Sequence, residues 1–312
     1  MAELSVLTLV YAPDLTLCME LADSLQRFLP EGTNAELIVP VEDVGKFEQL
    51  GAGQVRPECA ALPPWFTIVP RISALTRRMS AFSPIPRIVA INRHRPVPPI
   101  RGWILQQILK LAAVAESTSD IVVVIDSDVE LVRPITADTF RDGADVVLYR
   151  KVDAVTSELP HHVLWHQTAR RVLGLPVGAP PYHDYISSFM AWDTGVVRSM
   201  LTHIEDLHHR PWQDVISGEV HFSEWTLYGV FVDEVLGRRN SQQLHRSSPL
   251  CLEWWGTTPL TPQAVPGFTA GLGADDVAVM ISAKSGTSME VRKQVRELIR
   301  SGRDAHHGVP GS

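Results

Sequence analysis

Two carboxylates two residues apart, Asp126 and Asp128, follow the apolar run Ile121-Val-Val-Val-Ile125. Such a run has the length and β-branched content of a strand buried on both faces. The carboxyl end of a buried parallel strand opens onto the crevice where α/β sheets bind ligands. Two like charges placed there repel each other and lose hydration, which is costly unless a cation is shared between them. Hard oxygen ligands favour Mg²⁺ or Mn²⁺, which keep coordination positions open for phosphate oxygens. The plainer reading is a strand-ending Asp that closes a turn. The residues alone leave both readings open.

The elements that must deliver this pair can be read from periodicity. Ser5 to Val10 reads as a buried strand stopped by Pro13. Asp14 is placed to cap a helix over Leu15 to Phe28, with Leu17, Leu21, Ala22, Leu25 and Phe28 on one face. Ala35 to Val41 reads as a second strand, so the chain opens as strand–helix–strand, the start of an open α/β sheet. Residues 51–99 are rich in proline and read as loop with short elements.

A helix over Ile100 to Glu116 carries an apolar stripe, Ile104, Ile108, Leu111 and Ala115. Trp103, Gln106, Gln107 and Lys110 form a second stripe beside it. Packed under the acidic strand, that stripe offers an ammonium to a phosphate and amides to hydroxyls; otherwise it is a solvated face. Ala144 to Tyr149 and Val277 to Ser282 read as further strands, and Ser288 to Arg300 as a final helix. Residues 301–312 read as a flexible tail.

The bulk numbers bound the possibilities. The chain has 312 residues, is 45% hydrophobic and 20% charged, and has a mean hydropathy near zero, the profile of a soluble globular protein. A net charge of -7 argues against a general nucleic-acid binder, which presents a basic face. Cys18, Cys59 and Cys251 are odd in number and widely spaced, which suits a reducing compartment and gives a cytoplasmic expectation. No basic leader opens the sequence, and no apolar run approaches the ~18 residues of a membrane span.

Asp126-Ser-Asp128-Val-Glu-Leu-Val-Arg-Pro134 resembles the DxD segment of GT-A nucleotide-sugar glycosyltransferases. The chain is similar in particular to a bacterial group of glycosyltransferase-like proteins of poorly defined activity. The resemblance includes Tyr11-Ala-Pro-Asp14, Val41-Glu-Asp43, Gly102-Trp-Ile-Leu-Gln-Gln-Ile-Leu-Lys110 and Ser223-Glu-Trp-Thr-Leu-Tyr-Gly229, in order along residues 5–230. It implies an α/β GT-A fold over residues 1–300, a mostly parallel central sheet flanked by helices. About 1–150 would hold a nucleoside diphosphate sugar, most simply a UDP-sugar, and 151–300 a hydroxylated acceptor, a saccharide or small metabolite.

On that resemblance Asp126 and Asp128 hold Mn²⁺ or Mg²⁺ with Ser127 between them, and the ion anchors the diphosphate. Tyr11, Asp14 and Asp43 lie where base and ribose sit; Trp103, Gln106, Gln107 and Lys110 lie beside the phosphates and sugar. Many GT-A enzymes add a late His ligand; Met280-Ile-Ser-Ala-Lys284-Ser285 stands in its place here, and the third ligand is open.

For an inverting transfer, Glu224 is the candidate base, ahead of Asp184 and Asp193, because Phe222 and Trp225 flank it and would raise its pKa. The plainer reading of Ser223-Glu224 is a helix cap followed by an acidic first-turn residue. Six of the eight tryptophans fall between Trp165 and Trp255, as core or as platforms for sugar rings. Two rivals remain. One is a haloacid-dehalogenase-type phosphatase with Asp126 as nucleophile, Asp128 as acid and Asp275-Asp276 as its Mg²⁺ pair. The other is a non-catalytic sugar-nucleotide-binding protein.

Overall fold

The computed structural model describes residues 3–80, 86–237 and 245–307. Its central sheet has five strands in the order Phe189–Asp193, Ile121–Ile125, Leu4–Leu9, Asn34–Val39, Gln54–Pro57. The last four run parallel, and Phe189–Asp193 is antiparallel to Ile121–Ile125 with Phe189 opposite Ile125. From Leu4–Leu9 the chain first builds outward through Asn34–Val39 and Gln54–Pro57. It then returns to add Ile121–Ile125 on the other side. The strand order therefore reverses between Leu4–Leu9 and Ile121–Ile125, and a crevice opens at their carboxyl ends.

Helices cover both faces, which is why the central strands are apolar throughout. Val122 and Val124 face the Gly102–Glu116 helix and pack with Ile104, Ile108 and Leu111. Ile121, Val123 and Ile125 face the other way and pack with Leu21 and Leu25 of the Leu15–Phe28 helix. A second sheet, Cys251–Trp254, Ala278–Ile281 and Val129–Leu131, carries the chain onward from the acidic pair. The Glu224–Val230 helix comes so close to Tyr185 that a Cβ on Gly229 would lie 2.3 Å from its ring, so only glycine fits there.

The short elements expected within residues 51–99 are the strands Gln54–Pro57, Phe66–Ile68 and Ile88–Asn92 and the helix Pro70–Ser80, with prolines at element starts and edges where no ladder N–H is needed. Other expectations are corrected. The expected strand over 144–149 is two short pieces, Asp145–Val146 and Leu148–Tyr149, which pair with different partners. The last helix runs Met289–His307, so residues 301–307 extend it rather than forming a tail, and 308–312 lie outside the described residues. Asp14 precedes its helix without a side-chain capping bond. Among the described residues no helix is long and apolar enough to cross a membrane.

One buried titratable group gives this fold a pH signature. His166 stacks on Tyr182 at 4.6 Å, and burial pushes its imidazole down from 6.5 to about 4. The unfolded chain takes that proton near the ordinary value, the folded chain only near the lower one. Stability is therefore complete above the ordinary histidine value and falls as pH drops toward 4, by about 3 kcal/mol in all. His166→Phe should flatten that part of the curve in urea melts at neutral and acid pH; an unchanged slope would assign the loss to other groups.

Candidate functional site

The central strand delivers Asp126 to the crevice. Asp126 N–H donates to Ser188 O at 3.0 Å, and Val129 N–H donates to Asp126 O at 3.2 Å, closing a turn into the second sheet. Within that turn Ser127 Oγ donates to Asp14 Oδ2 at 3.4 Å, tying the ends of the two strands that flank the crevice. Asp128 Oδ2 accepts from Ala283 N–H at 2.7 Å. That amide belongs to the Ser282–Thr287 turn, which Arg292 braces by donating to Ser282 O and Thr287 O. Burial, then repulsion from Asp126, pushes Asp128 up to about 6, against the pull of Ala283 N–H and Arg292.

The stripe on the Gly102–Glu116 helix is not a solvated face. Lys110 is buried and lies 3.2 Å from Asp126 Oδ1 and 3.1 Å from Glu224 Oε1, with its ammonium 4.7 Å from the Trp225 ring centre. Burial opposes its charge, but the two carboxylates outweigh it and hold its pKa raised. Glu224 is 1% exposed. Burial raises its pKa more than Lys110 lowers it. Gln107 Oε1 accepts from Glu224 N–H at 2.8 Å, which fixes the helix start against its neighbour. Ser223 also caps this helix, accepting from Thr226 N–H. Glu224 Oε2 and Gln107 Nε2 are buried without a protein partner.

A cavity of about 660 Å³ lies over the carboxyl ends of the first two strands, floored by Val10, Tyr11, Val39 and Pro40. Trp103 and Gln106 from the Lys110 helix enter it, as does Lys284 from the turn that holds Asp128. The acidic pair stands beside this cavity rather than lining it; the link is Tyr11, whose phenol is raised by burial and by the neighbouring Asp14. Asp43 does not reach in. Its carboxylate accepts from Ala12 N–H at 2.9 Å and Lys46 Nζ at 2.6 Å. Burial pushes Asp43 up, but those bonds prevail and hold it below the ordinary range.

Tyr11, Trp103 and Gln106 are thus brought to one cavity, and Asp14, Ser127, Asp126, Asp128 and Lys110 to the crevice beside it. Asp184 stays apart, accepting from Ile186 N–H and lying 3.7 Å from His162. Asp193 caps the Thr194–His208 helix through Val196 N–H. Of the later tryptophans, Trp192, Trp212 and Trp225 are core, and Trp165 lines the cavity.

Glu58, Arg87 and Lys284 also line the cavity and were not legible as site residues in the sequence. Burial, then Glu42, pushes Glu58 up to about 7 against the pull of Arg87. The available signal was positional, since Glu58 directly follows the strand Gln54–Pro57 as Tyr11 follows the first strand.

Residues 4–248 match DUF6492, a family of unknown function. The chain belongs to this family. No curated protein matches it significantly. The crystal structure of mouse xyloside xylosyltransferase 1 in its apo form is similar over 91% of this chain and 99% of that one, at 10% identity and a TM-score of 0.46.

Among the described residues no three His, Cys, Asp or Glu side chains gather into a metal-binding group. The phosphatase constellation is not assembled either. Asp276 accepts from Gly273 N–H before the strand Ala278–Ile281, whereas Asp128 meets the far end of that strand through Ile281 N–H.

The Lys110 pairing predicts a stability effect. Lys110→Met leaves Glu224 buried without its cation and should cost roughly 3–5 kcal/mol. Adding Glu224→Gln should recover much of that, because the amide needs no counter-charge. Urea denaturation of the two single variants and the double variant measures the coupling; additive losses would show that the pair is not a unit.

Proposed function

We propose that this protein is a glycosyltransferase of the GT-A type, organised over residues 1–300 with a donor half at about 1–150 and an acceptor half at 151–300. It moves a sugar from a nucleoside diphosphate, a UDP-sugar in the simplest case, to a hydroxyl acceptor. The observation that carries this reading is the placement of Asp126 and Asp128 at the strand-order reversal, beside a cavity over the ends of the first two strands. Base and ribose would lie on Tyr11 near Asp14, with Asp43 holding that loop in place. The diphosphate would lie toward Ser127 and Lys110, and the sugar near Gln106.

In the transfer the bond from the anomeric carbon to the diphosphate breaks, and its electrons leave with the diphosphate. The acceptor oxygen bonds that carbon and gives up its proton. Glu224 would take that proton, since burial raises its pKa and its Oε2 has no protein partner. Lys110, kept charged by its carboxylates, offsets charge on the departing diphosphate.

The acidic pair fits a divalent ion, Mn²⁺ or Mg²⁺, as an open site. Asp128 lies beside the like charge of Asp126 and has a backbone N–H, from Ala283, rather than a side-chain cation on its Oδ2. Two carboxylates, with phosphate oxygens and water completing the shell, suit Mg²⁺. Held there, the ion would supply Lewis-acid stabilisation of the leaving group.

Calorimetric titration with UDP tests the donor site. Binding should tighten about tenfold or more with Mn²⁺, and Asp128→Asn should remove that gain while leaving metal-free binding and the melting temperature nearly unchanged. If the variant keeps its Mn²⁺ dependence, the ion sits elsewhere. Glu224→Gln should lower the transfer rate by about 10²–10⁴ without changing UDP affinity. A matching loss of UDP affinity would make Glu224 a positioning residue acting through Lys110.

A further inference from the structure

Part of the cavity lining is aromatic and comes from three separate segments. Trp103 stands on the Gly102–Glu116 helix, His161 and Trp165 on the Pro160–Val172 helix, and His221 just before the Glu224–Val230 helix. Trp103 and Trp165 are stacked, with ring centres 5.9 Å apart and planes 18° from parallel. Trp103 Nε1 donates to Phe222 O at 2.8 Å, so the ring is fixed in orientation and its polar edge is already used. Yet Trp103 is 46% exposed. His162 packs on Trp165 at 4.7 Å, and His161 and His221, which also line the cavity, have ring centres 6.4 Å apart.

An exposed, rigid indole face inside a cavity is an unused apolar surface. Its complement is a ring with one apolar face and polar edges, and that is a pyranose, whose axial C–H groups lie against the indole while its hydroxyls point outward. The imidazoles of His161 and His221 can each donate or accept, which suits hydroxyl groups and not a hydrocarbon. The cavity, at about 660 Å³, has the size of a small-molecule site and room beyond a single sugar ring.

We propose that Trp103 and Trp165, with His161 and His221, form a saccharide subsite that holds the acceptor by stacking on one face of its ring. As an acceptor site it rests on the glycosyltransferase reading; as a sugar-binding site it can be tested without it. Stacking selects a saccharide whose ring presents a continuous C–H face, and the two histidines select hydroxyls at its rim.

The test is intrinsic tryptophan fluorescence of the full chain, in a Trp255→Phe background that removes the other well-exposed indole. It is titrated separately with cellobiose, lactose, maltose, xylobiose and chitobiose, and with UDP. At least one disaccharide should bind, Trp165→Ala should weaken it tenfold or more, and UDP affinity should stay within twofold of the parent. Trp165→Phe, which keeps a flat ring, should recover most of the binding and controls for misfolding in the alanine variant. Absence of binding by every disaccharide overturns the subsite, whatever UDP does. Loss of UDP binding in Trp165→Ala also overturns it, because the wall would then carry the base. Disaccharide binding with no UDP binding would uphold the subsite and remove the donor reading instead.

Discussion

A buried ammonium shared between two carboxylates holds the site together. Lys110 sits between Asp126 and Glu224, and each of the three comes from a different element: a helix under the sheet, the end of the central strand, and the start of a later helix. Removing a lysine from water is costly and is tolerated only where charges of opposite sign surround it. The elements are therefore tied in position as well as packed. Around that point the apolar faces of the Gly102–Glu116 helix and the central strand close the core. The Gln107 bond and the Gly229 contact with Tyr185 fix where the later helix can lie.

The same interaction changes how the acidic pair is understood. The pair does not stand uncompensated, since Asp126 already has a protein cation and Asp128 has a backbone N–H. Compensation is incomplete, because Asp128 remains raised by burial and by its neighbour. The arrangement is nonetheless tolerable with the protein's own groups. Lys284 adds a further positive charge at the cavity. The turn that carries it is braced by Arg292.

The cavity separates two kinds of chemistry. Its floor is made of residues at the carboxyl ends of parallel strands, so it is a consequence of sheet topology. Its aromatic wall is assembled from segments far apart in the chain and oriented by one indole N–H bond to Phe222 O. Asp43 shows a third role, as it serves the site by fixing the loop after the first strand.

What could be read from the chain was local. The run Ile121–Ile125, the helix Leu15–Phe28 and the strand–helix–strand opening follow from apolar periodicity, which depends on neighbours in sequence, and these elements stand where expected. The acidic pair at a strand end was legible for the same reason. Residues 51–99 were not, because proline marks both loops and the edges of strands, and only pairing with Asn34–Val39 made Gln54–Pro57 a strand. Nor did the stripe of Trp103, Gln106, Gln107 and Lys110 reveal its fate, since a helix shows which residues share a face and not what covers it. Tertiary packing alone buried Lys110 and Gln107 against a helix more than a hundred residues away, while leaving Trp103 exposed to the cavity. Charge compensation and burial are properties of the assembled neighbourhood, and they decided which polar residues belong to the site.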